Sequence, residues 1–182
     1  MDFCVSNVLI GVIGVILLIG LAFGAVSNLG PKFEEARSHS EAGRVGTALL
    51  QLSAAVEFRN QDHGTKLLAE DSAATLALLK AEGYLQALPP NAVKPDGATF
   101  LFSNGGFADG SQQPIAFTAM EIGTSERARS ACLEIERRAG HESPSYLDTS
   151  TLWSAHVAAH RRLGCFMNQG SSSYLVYAPI GG

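Results

Sequence analysis

The chain has 182 residues, 46% of them hydrophobic, and a formal net charge of −4. That is enough for one modest domain plus an N-terminal element. Asp2 is the only charge before Lys32, so the rest of the chain is also acidic; a non-specific nucleic-acid binder, which needs many Lys and Arg to neutralise phosphates, is excluded.

Residues 3–30 carry no charge, and in residues 8–26 glycine is the only type that is neither aliphatic nor aromatic. At 1.5 Å per residue a helical run of about nineteen residues approaches the ~30 Å bilayer core. A cleavable secretory signal fits badly, because no basic n-region precedes the run, the run is too long, and no small-x-small site follows it cleanly. Gly11, Gly14, Gly20, Gly24 and Gly30 punctuate the segment. Gly20 and Gly24 form a small-xxx-small pair that lets helix backbones approach closely in lipid. Self-packing of this helix is therefore expected. The basic residues Lys32, Arg37 and Arg44 follow the segment, while Asp2 precedes it. Read literally, the positive-inside rule would face the domain to the cytoplasm; a basic leader removed to leave Met1 as a processed N-terminus is the alternative.

Gly30 and Pro31 mark a bend, a break or a helix restart. From Lys32 to about Asp62, Phe33, Ala36, Val45, Ala48, Leu49, Leu52, Ala55 and Val56 recur at helical spacing. Lys32, Glu34, Glu35, Arg37, Glu41 and Arg44 are left for the wet face. Asp62-His63-Gly64 ends this amphipathic helix, and residues 72–82 form a short one stopped by Gly83. Pro89, Pro90, Pro95 and Gly97 punctuate a loop. Strands are expected over 98–102 and 114–122, with a turn near Asn104-Gly105-Gly106. Residues 125–138 form a helix with Ala128, Ala131, Cys132 and Ile135 on one side, closed by Gly140. A weaker helix over 151–163 stops at Gly164, and residues 174–178 alternate as a last strand. The pairs Arg137/Arg138 and Arg161/Arg162 read as solvated helix ends.

Of three cysteines, Cys4 lies in the apolar segment, as an inert packing residue, a cross-link or a lipidation site. In an exported domain Cys132 and Cys165 form the one plausible disulfide. His156 and His160, at i and i+4, would with those cysteines make a Cys₂His₂ zinc site, but no C-x₂-C pair supports it. Ser111 and residues 171–173 lie in turn-like contexts without a nucleophile elbow. Gly105 and Gly106 lack a P-loop Lys. No enzyme activity, metal or cofactor is expected.

This order resembles a type IV pilin: an apolar helix running into an amphipathic half, a variable loop, a small antiparallel sheet and a disulfide-closed region near the C-terminus. The corresponding parts are residues 1–62, 63–97, strands from 98 onward, and Cys132 to Cys165. The size and the large disulfide region look like the type IVb subclass. The run Arg129-Ser130-Ala131-Cys132-Leu133-Glu134-Ile135 is similar to the cysteine-bearing helix of pilins from conjugative thin pili. Most type IV pilins have glutamate as the fifth residue; here it is Val5, a feature shared with the thin-pilus group, and Asp2 is the only nearby carboxylate.

The resemblance implies an α+β fold with a long N-terminal helix packed on a small antiparallel sheet. Residues 1–31 would be membrane anchor and filament core, and 32–182 the amphipathic helix and globular domain. Asp2, Phe3, Cys4, Gly11, Gly14, Gly20 and Gly24 would lie in the filament core. It implies a structural subunit held in the inner membrane, processed by a prepilin peptidase, and assembled by pilus machinery into a homopolymeric surface filament for conjugation or adhesion, without direct nucleic-acid binding. A minor pilin, a secretion-system pseudopilin and a membrane-anchored extracytoplasmic binding domain are the alternatives. Within a filament, residues 20–30 are where partial unwinding is expected.

Overall fold

The computed structural model describes residues 3–67, 71–95, 97, 99–103, 116–141, 147 and 162–180; before residue 30 it describes side chains only for residues 15–19. Its first element, α1, is one α-helix of 61 residues, Phe3–His63. It runs without interruption through Gly30 and Pro31, so the break expected there is absent from the single chain. A proline inside a helix forfeits one backbone hydrogen bond and crowds the carbonyl four residues back; here that local loss does not end the helix. The chain divides into two compact units, Met1–Arg37 and Ser38–Gly182. Among the described residues no helix is long and apolar enough to cross a membrane.

The larger unit is α+β. Two further helices, α2 (Ser72–Ala81) and α3 (Glu126–Arg138), accompany four strands, β1 (Thr99–Ser103), β2 (Phe117–Gly123), β3 (Gly164–Asn168) and β4 (Ser173–Pro179). Each helix boundary has a local cause. Asp71 caps α2 by accepting from the Ala73 N–H at 2.8 Å, and Ser125 caps α3 by accepting from Ala128 N–H at 3.2 Å. Gly64, Gly83 and Gly140 follow the three helices at φ of 61°, 83° and 99°, the left-handed conformation that glycine adopts without a Cβ penalty.

The strands form one antiparallel sheet in the order β1-β2-β4-β3. Both faces are buried. Phe100, Phe102, Met120, Ile122, Cys165, Val176 and Ala178 share a core with Ala42, Val45, Ala48, Leu49, Leu52 and Val56 of α1 and with Ala128, Ala131 and Ile135 of α3. Covering each large aliphatic side chain in this way stabilises the fold by about 1.5–3 kcal/mol. The opposite face carries a second cluster, Phe117, Ala119, Phe166, Leu175 and Tyr177, with Leu101 against it. Tyr177 meets Phe117 and Phe166 edge-on, with ring centroids 6.5 and 6.0 Å away.

The expected helices over 32–62, 72–82 and 125–138 and the strands near 98–102, 114–122 and 174–178 are present within a few residues of their expected bounds. The strand β3 is new, beginning at the Gly164 that was read as a helix stop. Most of the helix expected over 151–163 and the turn around Asn104 lie outside the described residues. Two assignments on α1 are corrected. Phe33, read as part of the apolar stripe, is 70% exposed, and Glu41, read as solvent-facing, is 7% exposed. Phe33 was misassigned because the local period was extended past the point where its packing partner begins, the compact larger unit starting only at Ser38; Glu41 was misassigned because the cation that buries it, Arg127, lies 86 residues further on.

Candidate assembly surfaces and the disulfide-closed region

Cys132 of α3 and Cys165 of β3 are joined in a disulfide with Cα atoms 5.3 Å apart. Both cysteines are fully buried, and the bond leaves neither thiolate for the zinc site considered with His156 and His160, which lie outside the described residues. Around the disulfide, Glu136 is fully buried and accepts a hydrogen bond from the Cys165 backbone N–H. It thereby caps an outward-pointing donor of the edge strand β3. At the other edge the Ser72 hydroxyl accepts from Phe102 N–H at 3.1 Å. An edge strand with satisfied donors is a poor template for unplanned strand pairing. Gly164 makes the approach possible: a Cβ there would stand 2.6 Å from the Tyr177 hydroxyl and 2.9 Å from Glu136 Oε1.

Two ion-pair groups fasten α1 to α3. Arg127 Nε donates to both Glu41 oxygens at 2.9 Å, and its Nη2 donates to the Ala92 carbonyl at 2.7 Å. One guanidinium thus ties α1, α3 and the loop after Pro90 together. That loop is organised by buried Asn91, which donates to the Glu121 carbonyl at 2.8 Å and accepts from Val93 and Lys94 N–H. Two turns further along α3, Glu134 pairs with His39, with Arg137 at 3.1 Å and with Arg138 at 3.0 Å, while Arg138 Nη2 donates to the His39 carbonyl at 2.7 Å. Arg137 and Arg138 are therefore not merely solvated ends of a helix. Sequence reasoning missed Glu41, Arg127, Glu134, Glu136 and Asn91. The only local signal was that Glu134 and Glu136 flank the core residue Ile135.

Burial pushes the Glu134 carboxyl up, but the hydrogen bonds from Arg138 and His39 and their charges outweigh it, and its pKa lies below the ordinary 4.5. A carboxyl whose folded pKa is depressed adds stability above its unfolded pKa and loses it as pH falls through the folded value. Wild type should therefore lose more stability than Glu134→Gln on going from pH 7 to below about 4.5. Denaturant midpoints measured across that range for both chains check this; parallel acid limbs would refute it.

The residues expected in a filament core are placed by backbone only. Phe3, Cys4, Gly11, Gly14, Gly20 and Gly24 all lie in α1, and Asp2 is outside the described residues. Within the apolar run, Val15, Ile16, Leu17, Leu18 and Ile19 are each 51–70% exposed. A Cβ on Gly30 would meet nothing within 4 Å. Ser111 is outside the described residues. Ser171, Ser172 and Ser173 build the β3–β4 hairpin: Ser171 Oγ bonds Ser173 Oγ at 2.5 Å and accepts from Asn168 Nδ2 at 3.1 Å, and Ser172 has φ 51°.

Fold and site together define a disulfide-closed α+β domain built on the second half of a long N-terminal helix. Among known protein families, curated proteins and solved structures, none matches the chain.

Proposed function

We propose that this chain is a structural subunit, a type IVb-like major pilin, that polymerises into a bacterial surface filament used in conjugation or adhesion. The observation that carries the reading is the double character of α1. Its first part is an uncharged aliphatic and glycine sequence that leaves five consecutive large apolar side chains exposed in the single chain. Its second part is the spine of a domain locked by a disulfide. Monomeric soluble proteins rarely expose so continuous an apolar surface. Lipid would cover it before assembly, with the domain on the outer side of the inner membrane. Neighbouring helices would cover it afterwards, held by close packing rather than by exclusion of water. A prepilin peptidase and an assembly machine are the partners this route needs.

Electron microscopy of native material is the direct test, with helical filaments of this chain alone expected. Gly20→Leu and Gly24→Leu should abolish them, because a branched side chain separates helix backbones that glycine lets touch. The thermal midpoint of the domain should stay unchanged. Filaments that tolerate both leucines would refute close packing at these glycines, and a chain that stays monomeric would favour a membrane-anchored binding domain.

A further inference from the structure

The outward side of α1 and the loop after Leu88 enclose a shallow groove of about 550 Å³, lined by Gly43, Arg44, Thr47, Ala48, Pro89 and Pro90 among others. Its walls combine the small or apolar Gly43, Ala48, Pro89 and Pro90 with the polar Ser40, Thr47, Gln51 and Arg44. Arg44 is exposed and has no ion-pair partner among the described residues. The earlier part of α1 carries a matching pair. Phe33 is 70% exposed, and the next residue, Glu34, is exposed and likewise has no ion-pair partner among the described residues.

We propose that this groove is a copy-to-copy docking site: Phe33 of one subunit seats against Gly43, Ala48, Pro89 and Pro90 of a second, and its Glu34 pairs with that subunit's Arg44. The inference rests on the filament reading and adds to it a lateral contact outside the apolar core. Shape and charge both favour a second copy of this chain as the occupant. Small residues and two prolines leave room for an aromatic ring, and a carboxylate beside that ring meets the groove's guanidinium. Such a pair fixes register and selects the right neighbour more than it adds affinity.

Charge reversal and restoration test it. The full chain, purified in mild detergent, would be induced to polymerise by detergent dilution and scored by pelleting and negative-stain microscopy. Glu34→Arg and Arg44→Glu should each lower the pelleted fraction about tenfold by setting like charges against each other. The double variant Glu34→Arg/Arg44→Glu should return to within about twofold of wild type, because the pair is re-formed with its signs exchanged. Phe33→Ala should also pellet poorly. All three side chains are exposed, so circular dichroism should be unchanged and failure to fold is controlled. Wild-type filaments with single reversals that polymerise normally, or with a double variant as poor as the singles, would overturn the docking pair and leave the filament reading standing. A wild-type chain that forms no filament on dilution, and none when expressed together with a prepilin peptidase and a pilus assembly machine, would overturn both.

Discussion

Replacing Cys132 and Cys165 together by Ala should lower the free energy of unfolding by about 3–4 kcal/mol. The bridge closes a loop with a sequence separation of 33, and chain-entropy estimates for a loop of that length lie near that value. The native state loses more than a tether. Glu136, fully buried, accepts from the N–H of Cys165, so the pairing of β3 with α3 is a covalent bond beside a polar one. Freeing the thiols lets that edge strand open before the rest of the sheet, exposing a buried carboxylate's partner. Equilibrium denaturation of the double variant and of the reduced wild type should therefore agree within error. A loss under about 1 kcal/mol would mean that packing alone holds the region closed. If the chain is a filament subunit, the reduced form should also fail first under pulling force.

Which parts of this fold were legible in the sequence follows from where each signal lives. The lower half of α1 was readable because Val45, Ala48, Leu49, Leu52, Ala55 and Val56 keep a helical period up to Gly64. The disulfide was readable because only two cysteines lie outside the apolar segment. The strand β3 was not, since Cys165 and Phe166 are buried on opposite faces of a sheet covered on both sides. Such a strand has no alternation to detect. The same holds for β4, where Ser173, Tyr174, Leu175, Val176, Tyr177 and Ala178 are all buried; its apparent alternation identified the right element for the wrong reason. Glu41 was misjudged because its partner is distant in sequence, 86 residues on at Arg127. A local pattern assigns a lone carboxylate to solvent, and only the tertiary fold supplies its cation.

Gly164→Ala should destabilise the domain by about 2–4 kcal/mol, an unusually large effect for one methyl group. Overpacking a buried site costs about 1–3 kcal/mol, and a broken buried hydrogen bond adds about 1–3. Both apply here. The new Cβ would lie 2.6 Å from the Tyr177 hydroxyl, 2.8 Å from its ring carbon and 2.9 Å from Glu136 Oε1. Neither neighbour can swing into solvent: Tyr177 and Glu136 are fully buried, and Tyr177 is wedged between Phe117 and Phe166. Relief therefore has to come from moving Glu136 off the Cys165 N–H or from shifting β3 away from β4. Tyr177→Phe removes the nearest of the three obstacles, so in a double-mutant cycle Gly164→Ala should cost less in the Tyr177→Phe background than in wild type. Additive losses would show that the strain falls on Glu136 instead. In that case Glu136→Gln, which keeps an acceptor for Cys165 at equal size, should leave the Gly164→Ala penalty unchanged, whereas Glu136→Ala should shrink it.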